Sequence, residues 1–169
     1  VTAQRMGRAQ IVEASQTSAL RGKTVTFGGR FKLSTSATLR YAILAWTGTA
    51  DAVTSDVVND WTSATYTTGN FFASTTLSLI ATGATALTAA TAAACSISGA
   101  VPSGATNIVV LYWTEAVAAQ SVTLDAWAQR LVDATALVEA HRRSYAEELA
   151  LCRRFLPALV SSGITDYLP

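Results

Sequence analysis

Charge, histidine, cysteine and proline are all scarce in this chain. Of its 169 residues only 14% are charged, against about 25% in an ordinary soluble domain. The formal net charge is +1. A nucleic-acid binder needs a basic face to displace counterions from phosphates, so this balance argues against one. The two cysteines, Cys95 and Cys152, form no CxxC pair and have no histidine beside them. That excludes a zinc module and a disulfide-stapled mini-protein. No apolar run approaches the roughly 20 residues that span a bilayer, and no signal-peptide pattern is read at the start. No membrane insertion is expected.

Catalytic signatures are missing as well. Gly22-Lys23-Thr24 looks like the end of a phosphate-binding loop, but Thr17 stands where the first glycine belongs and strand-like sequence follows. The single histidine, His141, lies beside Arg142 and Arg143 with no nucleophile or carboxylate at a recognised spacing. Glu147 and Glu148 are neighbours on a predicted helix and point about 100° apart, so they cannot converge on one substrate atom. The chain is expected not to be an enzyme and to need no cofactor or metal.

What is present is a β composition. Threonine, serine, valine and aromatic side chains suit a pleated, half-buried surface. In Thr24 to Leu33 the positions Val25, Phe27, Phe31 and Leu33 are apolar, while Thr24, Thr26, Arg30 and Lys32 are polar. That alternation predicts a strand with one buried face. Gly28-Gly29 inside it predicts a bulge or a close backbone approach. Leu39 to Trp46 and Asn107 to Trp113 are apolar on both faces, as central strands are. Thr75 to Ala81 alternates through Leu77 and Leu79. Ser121 to Leu131 alternates through Val122, Leu124 and Ala126 until Trp127, where a second bulge would explain the failure. Ser34-Thr35-Ser36, Thr82-Gly83 and Val101-Pro102-Ser103-Gly104 read as turns. The Ala/Thr-rich stretch from Gly83 to Ala94 permits an extended segment, and Cys95 is expected to pack as a small hydrophobe in a strand. Several short strands with polar turns predict an antiparallel β-sandwich of jelly-roll type, over residues 1–134.

The last residues differ. Ser144 and Glu147 fit a capping box. Tyr145, Leu149, Cys152 and Leu156 then recur on one helical face, with Phe155 on a neighbouring one. Pro157 ends the pattern. Residues 135–169 are therefore expected to be a linker, a short helix over Tyr145 to Phe155 and an extended tail. Tyr145, Leu149, Cys152, Phe155 and Leu156 would pack on a partner, or the segment would lead to a further domain.

One segment has the chemistry of a ligand site. Between Thr47 and Phe72 lie Asp51, Asp56, Asn59, Asp60, Trp61, Tyr66 and Phe72. Aromatic rings interleaved with carboxylates and amides suit a sugar: a flat ring stacks on the pyranose C–H face, and fixed polar groups read the hydroxyls. Trp61, Tyr66 and Phe72 are the candidate stacking platforms, and Asp56, Asn59 and Asp60 the hydroxyl partners. The bland alternative is that the aromatics only cover the edge of the sandwich. Asp51, Asp56 and Asp60 could also offer oxygens to calcium, although their spacing is not that of an EF-hand.

Three stretches carry a resemblance. They are Gly22-Lys-Thr-Val-Thr-Phe27, Trp46-Thr-Gly-Thr-Ala-Asp51 running to Asn59-Asp60-Trp61, and Tyr145-Ala-Glu-Glu-Leu-Ala-Leu-Cys-Arg-Arg-Phe155. With Val122-Thr-Leu124 they resemble tail-fibre, tail-spike and related virion appendage proteins of phages and prophages. Those carry a jelly-roll module similar to carbohydrate-binding modules, followed by a short helix. Arg154-Phe155 stands where such proteins commonly show a tyrosine pair. The resemblance implies a non-enzymatic module on the exterior of the virion, packed against other virion proteins, often as a homotrimer. It would bind host-surface polysaccharide or support the receptor-binding region. The alternatives are a purely structural decoration, neck or fibre-shaft component, or an accessory carbohydrate-binding module of a secreted polysaccharide-degrading enzyme. The chain is also expected to be a piece of a longer protein.

Overall fold

The computed structural model describes residues 5–53, 57 and 76–137. These contain seven strands: β1 (Gly7–Val12), β2 (Thr24–Leu33), β3 (Ala37–Trp46), β4 (Leu77–Leu87), β5 (Ala93–Ala100), β6 (Asn107–Thr114) and β7 (Leu124–Val132). One short helix, α1 (Ala14–Ser18), follows β1. The strands form two antiparallel sheets, ordered β1-β6-β3-β4 and β5-β2-β7. Contacts divide the chain into Val1–Val138, which holds every described element, and Glu139–Pro169. The helix expected over Tyr145 to Phe155 and the tail after it lie outside the described residues.

The pairings are nested. β3 pairs with β4, β2 with β5 and β1 with β6. The first three strands and the next three thus form one long doubled ribbon whose successive pairs fall alternately into the two sheets. This is jelly-roll winding. β6 also pairs with β3, completing the four-stranded sheet, and β7 adds to the other edge of β2.

Side-chain alternation explains the layers. Val25, Phe27, Phe31 and Leu33 of β2 point inward and are at most 3% exposed. They meet Leu39, Tyr41, Ile43 and Ala45 of β3 and Ile108, Val110 and Tyr112 of β6 in one core. Phe31 and Tyr112 bridge the sheets edge-to-face, with ring centres 5.0 Å apart. Cys95 of β5 is buried in the same core. β3 and β6 also bury their second face, where Ala42, Leu44, Val109, Leu111 and Trp113 pack with Leu79, Val53 and Val57.

The irregularities expected at Gly28-Gly29 and at Trp127 are one and the same. β2 pairs with β5 without interruption from Thr24 to Phe31. Against β7, Gly28 faces Arg130 and Arg30 faces Trp127, so Ala128 and Gln129 together stand opposite Gly29. The bulge is therefore in β7, and Ala128 takes it up with a φ of 52°. A Cβ on Gly29 would come within 3.1 Å of Gln129 Cα and the Trp127 carbonyl oxygen. On Gly28 it would collide with the Cys95 carbonyl oxygen and lie 2.5 Å from Leu137 Cδ1. Only glycine fits under that crossing segment.

One expected turn is corrected. Thr82-Gly83 lies inside β4, which runs on through the Ala/Thr stretch to Leu87. Gly83 sits opposite Tyr41, and a Cβ there would stand 2.5 Å from Tyr41 Cε2. The glycine makes room for a tyrosine ring. It does not turn the chain.

Candidate functional site

The candidate sugar residues Asp56, Asn59, Asp60, Trp61, Tyr66 and Phe72 lie outside the described residues. So do Tyr145, Leu149, Cys152, Phe155 and Leu156, expected to pack on a partner. What the structure describes is the root of the β3–β4 connection: both of its ends and Val57.

Hydrogen bonds clamp the two ends together. The Thr47 amide donates to the Thr76 carbonyl at 2.9 Å, and the Thr47 hydroxyl donates to the same oxygen at 3.0 Å. From the start of β6, the Thr106 amide donates to the Trp46 carbonyl at 2.7 Å. The Thr106 hydroxyl reaches the carbonyls of Trp46 and Gly48 at 3.0 and 2.9 Å. The Trp46 indole N–H donates to the Thr49 carbonyl at 3.0 Å, folding the chain back over the ring. A Cβ on Gly48 would lie 2.6 Å from that ring, so the turn needs its glycine.

Asp51 is the strut of this root. Its φ of 57° is left-handed, a region that aspartate tolerates better than most residues. Its amide donates to Asn107 Oδ1 at 2.9 Å, and Asn107 Nδ2 donates back to Asp51 Oδ1 at 2.7 Å. The same carboxylate oxygen accepts the Ala14 amide at 2.8 Å. Ala14 opens helix α1, where an amide has no partner within the helix. The Ala14 amide, and then the Asn107 amide, hold the Asp51 carboxyl below the ordinary aspartate range, against a small opposing effect of burial. Asn107, wholly buried, donates in addition to the Val12 carbonyl at 3.0 Å. One side chain thus ties together β1, β6 and the β3–β4 connection. Val53 and Val57 then pack on Leu44 and Val109, fixing the outgoing chain to the sheet.

Among the described residues, no group of three or more His, Cys, Asp or Glu side chains is placed to hold a metal ion. The sequence offered Asp51 as a possible oxygen ligand, but its Oδ1 is already occupied by two donors of the protein itself. The role of Asn107 went unread. Its signal was present: it is the one polar residue at the head of an otherwise apolar run ending at Trp113.

No protein-family model matches the chain, and no curated protein matches it. One solved structure, described as "CBM4 structure and function", is similar at a TM-score of 0.36 and 14% identity. The similarity covers 72% of this chain and 61% of that one, so this chain spans about three-fifths of the length of the structure it matches.

Proposed function

We propose that this chain is a non-enzymatic adhesion module on the exterior of a phage-like particle, binding host-surface glycan through the β3–β4 connection. Trp61, Tyr66 and Phe72 supply the stacking rings, and Asp56, Asn59 and Asp60 address the hydroxyls. The module works as a homotrimer beside other virion proteins. The observation that carries this reading is the clamped root. Binding residues are commonly carried on connections that a rigid scaffold positions. Here both ends of the connection are tied to strand termini by main-chain and side-chain hydrogen bonds. A fixed root reduces the ordering that binding would otherwise cost. The virion setting is supported by the motif resemblance, one stretch of which, Trp46 to Asp51, coincides with the clamp.

A glycan array with the purified chain tests the reading. Trp61→Ala is expected to weaken the strongest signal about tenfold or more, near 1.4 kcal/mol, with the melting temperature unchanged. Unaltered binding by a folded variant would refute the site. Antibody labelling of intact particles tests the location, and a label confined to the particle interior would refute it.

A further inference from the structure

The outer face of the β5-β2-β7 sheet is divided in two by the chain itself. After β7 the chain turns back across it. Thr26 Oγ1 donates to the Ala134 carbonyl at 2.6 Å, and Ser98 Oγ donates to the Thr135 carbonyl at 3.0 Å. Leu137 lies over Gly28. Thr26, on this face, is 1% exposed. Past Gly28 no described residue crosses the face. There Arg30 and Lys32 of β2 stand directly opposite Trp127 and Asp125 of β7. Residues opposite one another in antiparallel strands share a face.

This open half has a distinct chemistry. Trp127 is 41% exposed, one of the few large apolar side chains among the described residues left in water. Lys32 and Asp125 neutralise one another at 3.0 Å. Arg30 is exposed and has no ion pair among the described residues. At the step between the covered and open halves is Arg130, opposite Gly28, whose Nε and Nη1 are buried without a hydrogen-bond partner. β5 adds only Ala94 and Ser96 beside Arg30 and Gly28. An apolar ring in the open, next to guanidinium groups lacking counter-charge, calls for a ligand that is flat and apolar on one side and anionic at its rim.

We propose that this shelf is a second binding site, for an acidic saccharide: a uronic or sialic acid whose ring stacks on Trp127 and whose carboxylate pairs with Arg30. Its hydroxyls face Asp125, Lys32 and Ser96. A polyphosphate suits the shelf less well, because the Asp125 carboxylate shares the face and the chain carries a net charge of only +1. The site belongs to the sheet opposite the one that roots the β3–β4 connection, and it does not depend on what that connection binds.

Calorimetric titration of the whole chain at low salt tests the proposal, with short oligogalacturonate and sialyllactose as probes. Neutral galacto-oligosaccharide and oligothymidylate serve as comparisons. At least one acidic sugar is expected to bind about tenfold more tightly than either comparison. Trp127→Ala and Arg30→Ala should each weaken it by about tenfold, Trp127→Phe should keep most of it, and Trp61→Ala should leave it unchanged. If Trp127→Ala does not fold, Arg30→Ala decides. Failure of both acidic sugars to bind, equal affinity for oligothymidylate, indifference to Arg30→Ala, or loss on Trp61→Ala would each overturn it.

Discussion

Two tryptophans, one on each sheet, point away from the core that the sheets share, and they meet opposite fates. Trp113 of β6 is 1% exposed, and Trp127 of β7 is 41% exposed. The four-stranded sheet is buried on both faces along most of β3 and β6, so those two strands are mainly apolar on both faces. The three-stranded sheet is buried on one face and meets water on half of the other, so β2 alternates. The same residue type is therefore structural in one layer and available for binding in the other. Its neighbours decide which: Ala42, Leu111 and Leu79 around Trp113, and Arg30 opposite Trp127.

The comparison can be broken most forcefully at Trp113. Trp113→Ala should cost about 3–5 kcal/mol in chemical denaturation, whereas Trp127→Ala should cost clearly less, about 1 kcal/mol. A small loss at Trp113 would mean that the second face of the four-stranded sheet is not a core. Next in size is Gly28→Ala, where the added methyl meets the Cys95 carbonyl and Leu137. It should cost about 1–3 kcal/mol, and the same substitution at Gly104, which has open space around it, should cost far less. A thermal-melt comparison of the two variants checks this.

Asp51 gives a pH signature. Its carboxyl is held below the ordinary aspartate range when folded. Its stabilising contribution is therefore complete above the unfolded value and is lost as the pH falls below about 4. Asp51→Asn should flatten that part of the stability profile measured by urea titration, and an identical slope in the variant would remove the strut from the account. The smallest effect belongs to the exposed ion pair between Lys32 and Asp125. A double-mutant cycle there should return about 0–1 kcal/mol and shrink with added salt.

The strands easiest to read in the sequence were those whose side chains report their surroundings. β2 alternates and β3 and β6 carry apolar residues on both faces, and all three run where the pattern placed them. β1 escaped because it leaves no such trace: five of its six residues are exposed, and pairing with β6 holds it through the main chain. Helix α1, at five residues, is too short to show a helical period. Thr82-Gly83 misled because glycine both turns chains and makes room for rings, and only the partner, Tyr41, tells the two apart. At the candidate site, the aromatic and polar residues that the sequence singles out in the β3–β4 connection lie outside the described residues. Its root was not legible, since the bond between Asp51 and Asn107 joins residues that come together only once β6 is in place.

The nested winding also governs how the protein must be made. The tip, β3 with β4, can zip up early, but each sheet waits for a late strand between or beside early ones: β6 inserts between β1 and β3. A nascent chain released from the ribosome up to β5 would carry β3 with one edge unpaired and the shared core without Ile108, Val110 and Tyr112. Partners so distant along the chain assemble slowly, which leaves such intermediates open to aggregation. Production of this protein should therefore profit from slow translation or chaperone cover until the residues of β6 have emerged.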